Sequence, residues 1–186
     1  MPNTEAASAK KPNVAARKRE ELREKFWPGS GERIWKRRLN DGFTTIPRVL
    51  PLVMHLIRHL TPRGDPSRVY WDLWARAWDE GILTVTDEDT WAYSAGYTGT
   101  RALRTWREHM LTLQEIGFIE IKPQGNRQIG HILILNPLAV CARLHRDRRR
   151  DVPEEWWTAF VHRANEIKAV IPDVSQEDTQ GPAAVP

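Results

Sequence analysis

The chain has 186 residues, of which 28 are Lys or Arg, 24 are Asp or Glu, 40% are hydrophobic and one is cysteine. At roughly 100 to 200 residues per domain, this length fits one main globular domain with tails and excludes two full catalytic domains. The lone Cys141 excludes an intramolecular disulfide and a multi-cysteine zinc site. With no apolar leader in residues 1–11 and no apolar run long enough for a membrane span, a soluble, cytoplasmic protein that does not engage a membrane is expected.

The formal charge of +4 conceals an asymmetry. Residues 1–45 carry 11 basic and 6 acidic side chains, 46–150 carry 15 and 11, and 151–186 carry 2 and 7. A basic body with an acidic tail suits a partner that is a polyanion, and it equally suits an ordinary solvated surface. Nine tryptophans point first to a core rich in large rings.

In chain order, residues 1–28 read as a basic arm that is disordered or marginally helical: about a dozen polar residues, then a helix-forming but highly charged stretch from Val14 to Phe26, closed by Pro28. A short helix is expected from Gly31 to Leu39, ending at Asp41-Gly42. Arg17, Lys18, Arg19, Arg23, Lys25, Arg33, Lys36, Arg37 and Arg38 are interleaved here with Phe26, Trp27 and Trp35. The rings either pack this segment onto the body or belong to an arm that orders along DNA or an acidic partner surface.

The body starts at Thr45. Val49, Val53, Leu56, Ile57 and Leu60 recur at helical spacing, which predicts a core helix interrupted near its start by Pro47 and Pro51. After the turn residues 61–67, Ser67 caps a second helix to about Glu80, closed by Gly81. Its Tyr70, Trp71, Leu73, Trp74, Ala77 and Trp78 demand burial on two sides or a docked partner. Ile82 to Val85 reads as a strand, and Thr86-Asp87-Glu88-Asp89 starts a short helix to about Ser94 with a capping hydroxyl and three acids.

Ala95-Gly96-Tyr97 then turns, and Thr98 or Thr100 caps a longer helix whose apolar stripe is Leu103, Trp106, Met110 and Leu113. Gly117 stands at its C-terminal cap. Residues 118–122 and 131–135 alternate as two strands of a hairpin turning at Pro123-Gln124-Gly125-Asn126-Arg127. A further helix follows from Leu138 towards the cluster Arg143, Arg146, Arg148, Arg149 and Arg150. Pro153-Glu154-Glu155 opens a last one carrying Trp157, Phe160, Val161, Ala164, Ile167 and Ile171, which either packs back on the domain or forms a dimer contact.

The run from Ala92 to Pro137, AYSAGYTGTRALRTWREHMLTLQEIGFIEIKPQGNRQIGHILILNP, carries two short patterns: A-x-x-x-G-[YF]-[ST] over Ala92 to Thr98, and L-x-x-x-G-[FL]-I over Leu113 to Ile119. In these it resembles the winged helix-turn-helix domains of bacterial transcription regulators and of plasmid or phage replication proteins. The resemblance covers about 50 of the 186 residues, or about 90 with the preceding helices. It implies a mainly α fold with a small β-hairpin wing, flanking helices around a winged helix-turn-helix core, and a DNA-binding role on a mobile element such as a plasmid, in transcription control or as a replication accessory. The expected organisation is the arm at 1–28, the winged-helix domain with its preceding helices at 29–136, C-terminal helices at 137–171 and an acidic disordered tail at 172–186.

If the stripe of the longer helix faces the core, its other face presents Thr98, Thr100, Arg101, Arg104, Thr105 and Arg107, and the wing tip presents Gln124, Asn126, Arg127 and Gln128. Arginine forks bind guanine edges or phosphates, hydroxyls suit phosphate oxygens, and Arg127 suits a minor groove or backbone. The bland alternative is a solvated face in which Glu108 and Glu115 pair with the arginines. The run Asp87-Glu88-Asp89 would repel phosphate if it sat at the groove-facing end. The other functional class is a winged-helix adaptor that binds a protein of a transfer or replication machine, or a second copy, through exposed Trp on the 67–80 or 153–171 helix.

No enzyme, cofactor or metal is expected. Phosphate-loop, dinucleotide and zinc-protease motifs do not occur, and Glu154-Glu155 is explained by helix-start charge. His55 and His59 have metal-compatible spacing but no third ligand nearby, and Cys141 reads as a buried inert thiol.

Overall fold

The computed structural model describes residues 14–147 and 151–173, with the Arg38 side chain left aside. The expected tail at 1–12, all of the expected tail at 172–186 but Pro172 and Asp173, and Arg148, Arg149 and Arg150 of the basic cluster lie outside the described residues. Chain contacts divide the protein into two compact units that meet in sequence between Phe43 and Thr44.

The first unit holds α1 (Val14–Phe26), all of whose residues stay in contact with solvent, and two single 3-10 turns at Ser30–Glu32 and Arg37–Leu39. The helix expected over 31–39 is therefore absent. Arg33 has helical dihedrals, but Lys36 is extended at φ −118° and ψ 117°, and Ile34, Trp35 and Leu39 are exposed, so no apolar face is available to hold a longer helix together. Gly29, at φ 69°, makes the corner after α1 and donates its amide to the Glu24 carboxylate at 2.7 Å.

The second unit is mainly helical with a small antiparallel sheet. It runs α2 (Leu50–Leu60), α3 (Ser67–Arg76), β1 (Ile82–Thr84), α4 (Glu88–Ser94), α5 (Ala102–Glu115), β2 (Ile119–Gln124), β3 (Arg127–Ile134), α6 (Pro137–Asp147) and α7 (Glu154–Glu166). The sheet order is β1-β3-β2. Thus β3 is central, with Ile82 opposite Leu133 on one side and Ile119 opposite Ile134 on the other. No helix among the described residues is long and apolar enough to cross a membrane.

One core serves this unit. Leu50, Val53, Leu56 and Ile57 of α2, Val69, Tyr70 and Leu73 of α3, Trp106, Met110 and Leu113 of α5, Phe118 just before β2, and Ile119 and Ile132 of the sheet are all at most 1% exposed. Cys141 is buried with them, and the apolar surroundings push its thiol pKa far up, as expected of an inert thiol. The last helix packs back on α2: Trp156 donates its indole N–H to the Leu52 carbonyl at 2.9 Å and stacks on Phe160. Trp156, missing from the expected stripe, is the buried ring, while Trp157 is half-buried and stacked on His145. The helix stops at Glu166, with Lys168 at φ 58°, so Ile167 and Ile171 pack on the core from beyond its end.

Several expected boundaries move. Helix α3 ends at Arg76, not Glu80, because Ala77 is extended at ψ 144°. Trp78 consequently leaves the helix and is 78% exposed, and Trp71 is 46% exposed, so the two-sided burial expected of these rings is not realised. Ser67 does not cap α3 through its hydroxyl. The Asp65 carboxylate accepts from the Ser67 amide at 3.0 Å and is tied to Arg58 at 2.9 Å. Burial would raise the Asp65 pKa, but the Ser67 and Arg58 contacts outweigh it and hold the carboxyl below its ordinary range.

The hairpin is longer and its turn tighter than expected: Gln124 pairs with Arg127 across Gly125-Asn126, and the register shifts so that Pro123 of β2 stands against a bulge of residues 128–130 in β3, which lets the proline sit in the edge strand. Gly130 is required in this bulge. A Cβ there would meet the Gln124 backbone nitrogen at 2.5 Å and its Cα at 2.9 Å. Gly130→Ala is therefore expected to lower the urea midpoint by an amount equivalent to about 1–3 kcal/mol, as overpacking against backbone does, whereas Gly125→Asn, in an open turn at φ 56°, should change it little.

Candidate nucleic-acid interface

Helix α4, the turn 95–101, helix α5 and the hairpin follow one another as the sequence predicts, and each junction has an identifiable cause. Asp87, rather than Thr86, caps α4: its carboxylate accepts from the Asp89 amide at 3.1 Å and from the Thr90 hydroxyl. The Thr90 bond, with the Asp89 and Thr90 amides and the nearby Arg127 charge, holds the Asp87 carboxyl below its usual pKa. Helix α4 ends with the Gly96 amide bonded to the Tyr93 carbonyl and the Tyr97 amide to the Ala92 carbonyl. Helix α5 ends identically, with Gly117 to Gln114 and Phe118 to Leu113. Both glycines have positive φ, 87° and 80°, as this double-bond termination requires. Arg143 of α6 adds a bond to the Gly117 carbonyl at 3.3 Å, so one member of the expected basic cluster has a structural task.

Helix α4 is clamped to α3. Asp72 accepts from Arg76 at 2.7 Å and from the Ser94 hydroxyl at 2.9 Å, and the Arg76 guanidinium lies 4.4 Å from the Trp91 ring centroid. This partly enclosed network joins the helix before β1 to the one after it.

The predicted face of α5 is outward. Thr98, Thr100, Arg101, Arg104 and Arg107 are exposed and Thr105 is half-buried, while Trp106, Met110 and Leu113 point into the core and Leu103 packs against it. Neither Thr98 nor Thr100 caps α5; the helix begins after Arg101 without a side-chain cap. Its first amides are thus left without a side-chain acceptor, next to exposed hydroxyls and Arg101.

At the wing tip Gln124, Asn126, Arg127 and Gln128 are all exposed. Thr86, Asp87, Glu88, Arg107, Asn126, Arg127 and Gln128 line an open cleft between the start of α4, the side of α5 and the hairpin. This brings Arg107 and three of the four wing residues together, and leaves Gln124 and the α5 start outside the cleft.

Acid is built into the same surface. Arg107 pairs with Glu88, its Nε donating at 2.7 Å, and Arg104 pairs with Glu108 one turn away at 2.8 Å. Arg127 is anchored to the Val85 carbonyl at 2.8 Å beside Asp87. Arg101, just before α5, makes no ion pair among the described residues, unlike Arg104 and Arg107 within the helix. The roles of Asp87 and Glu88 were signalled by the acidic run at 87–89, but its contact with Arg107, 19 residues away, is invisible without the fold.

Sequence reading did not single out the pair formed by Tyr97 and His109. The Tyr97 phenol and His109 Nδ1 are 2.5 Å apart, and a Cβ on Gly64 would meet His109 Nε2 at 2.6 Å, so the imidazole fills the space between the α4–α5 turn and the α2–α3 loop. Burial pushes the Tyr97 pKa up to about 12, so the phenol keeps its proton beside Nδ1. Burial also depresses His109, against the opposing pull of Asp65 and Glu108.

His55 and His59 are both exposed, His59 lies 3.0 Å from the Asp151 carbonyl, and no cluster of three or more potential ligands exists among the described residues.

The depressed His109 has a signed consequence. The fold prefers the neutral ring, so its contribution is fully present above the ordinary histidine value of 6.5 and is lost as pH falls through the lower folded-state value. Denaturant midpoints measured between pH 7.5 and 5 should fall for the natural chain and fall less for His109→Asn, which keeps a polar side chain beside Tyr97 and does not titrate.

The chain matches no family model, no curated protein and no solved structure at a significant level.

Proposed function

We propose that the second unit is a winged helix-turn-helix that binds duplex DNA, with α5 as the groove-reading helix and the β2–β3 hairpin as its wing. The observation that carries this reading is the rotation of α5. Burial of Trp106, Met110 and Leu113 turns Thr98, Thr100, Arg101 and Arg104 to solvent at the helix start, the end that enters a major groove in this class of domain. The sheet order, with the strand preceding α4 paired to the returning strand of the hairpin, supports it. A role in transcription control or replication of a mobile element is the biological setting that the resemblance suggests.

A second reading, docking of a protein partner, draws on the ion pairs of Arg104 and Arg107 and on Trp71 and Trp78, which stand in solvent on and after α3. The α7 rings do not serve this purpose, since Trp156 is buried and Trp157 is stacked on His145.

Fluorescence anisotropy on a labelled duplex separates the two. Under the DNA reading, Arg101→Ala and Arg104→Ala each weaken binding by about tenfold and lower the slope against log salt by about one unit if the contact is to phosphate. Glu88→Gln, which releases Arg107 from its carboxylate, strengthens binding several-fold. Unchanged affinity in all three variants, or a partner retained through Trp71 and Trp78 with no duplex binding at low salt, would favour docking.

A further inference from the structure

We propose that residues 14–43 form a platform for single-stranded nucleic acid, on which Trp27 and Trp35 stack with unpaired bases while the surrounding Lys and Arg meet the phosphates. None of these residues belongs to α5 or the hairpin, so the two readings fail independently.

Three observations converge. First, Trp27 and Trp35 are each 61% exposed, and Phe26 is 59% exposed, in a stretch of only 30 residues that buries no residue of its helix. Large rings left in solvent at this density need a partner. Second, the same stretch carries nine basic and five acidic residues, and two of the acids are already engaged: Glu21 with Arg17 at 3.1 Å and Glu24 with the Gly29 amide. Basic groups remain in excess over the stretch. Third, the rings and cations alternate instead of segregating. The Arg37 guanidinium lies 4.5 Å from the Phe43 ring centroid, Trp35 meets Phe43 edge-on at 73°, and Lys25 is 5.9 Å from the Phe26 ring centroid.

That alternation selects the partner. A lipid surface would be met best by a continuous apolar stripe flanked by cations, and an acidic protein has no need of flat ring faces. A strand with unpaired bases offers a negatively charged backbone and a row of flat faces at repeating distance, which is the complement of separate rings set among cations. A duplex hides those faces inside its stack, so it can engage the charges but not the tryptophans. The segment has little core of its own: no residue of α1 is buried, and Arg23 Nε and Ser30 Oγ are enclosed near its end without a hydrogen-bond partner. Its conformation is therefore adaptable on contact.

The test uses the full chain with a labelled oligothymidylate of about 15 nucleotides, a duplex of random sequence, an abasic oligomer of the same length and phosphatidylserine vesicles. Expected is a loss of at least about tenfold in oligothymidylate affinity for Trp27→Ala with Trp35→Ala, an unchanged salt slope because no charge is altered, retention of most affinity with Phe at both positions, and unchanged duplex binding. The natural chain should bind the abasic oligomer about as weakly as the double Ala variant binds oligothymidylate. The proposal is overturned if the double Ala variant binds oligothymidylate normally, if it loses duplex affinity equally, if the abasic oligomer binds as tightly as oligothymidylate, or if the tryptophans matter only for vesicles.

Discussion

The rotation of α5 about its own axis governs the second unit. Trp106, Met110 and Leu113 recur at spacings of four and three, each has no exposed surface, and each contributes about 1.5–3 kcal/mol by leaving water. Turning the helix by even a quarter would pull a tryptophan out of the core and drive arginine into it, at a cost far above typical domain stability. With that angle set, what α5 offers to solvent is no longer adjustable. The double-bond ending at Gly117 then redirects the chain sharply enough for Phe118 to enter the core and for β2 to begin. The hairpin, the site at its tip and the docking of α6 through Arg143 follow from this single buried stripe.

Electrostatically the same face is restrained. Arg104 and Arg107 have carboxylates within bonding reach, and Arg127 is fixed to a backbone carbonyl next to Asp87. Exposed pairs of this kind add little to stability, typically well under 1 kcal/mol, so their effect falls mainly on recognition. Cations held by acids attract a polyanion weakly at long range and must exchange partners on contact. On the proposed DNA-binding reading, such an arrangement suppresses indiscriminate adhesion to phosphate and leaves discrimination to the particular groups that can displace the acids.

Much of this was readable from the chain. The helices of the second unit, the strand at 82, the two glycine terminations and the outward side of α5 all follow from apolar spacing and from residues with one dominant conformational use, such as Gly117. The failures have several causes. The expected caps Ser67, Thr86, Thr98 and Thr100 were chosen for their hydroxyls, and carboxylates at Asp65 and Asp87 took the first two positions because an ionised acceptor holds amides more strongly. Trp78 was placed in a helix that ends two residues earlier, since nothing in composition marks Ala77 as extended. Trp156 and Trp157 are adjacent, and which of them faces α2 depends on the helix phase set by packing against Leu52. The Tyr97–His109 contact and the Glu88–Arg107 pair join residues on different elements, which periodicity within one element does not reveal.

The hairpin also bears on how the protein stays apart from its own copies. An exposed strand edge is a template for a further strand, through the backbone donors and acceptors it presents. On the outer edge of β2 the Ile121 amide is already bonded to the Gln114 side chain of α5 at 2.9 Å. Two residues on, at the next position pointing the same way, Pro123 has no amide hydrogen and sits at a bulge that breaks the register. At the opposite edge β1 is only three residues long. A sheet closed off in this way can hold its hairpin out in water, available to a large ligand, without becoming the first layer of an aggregate.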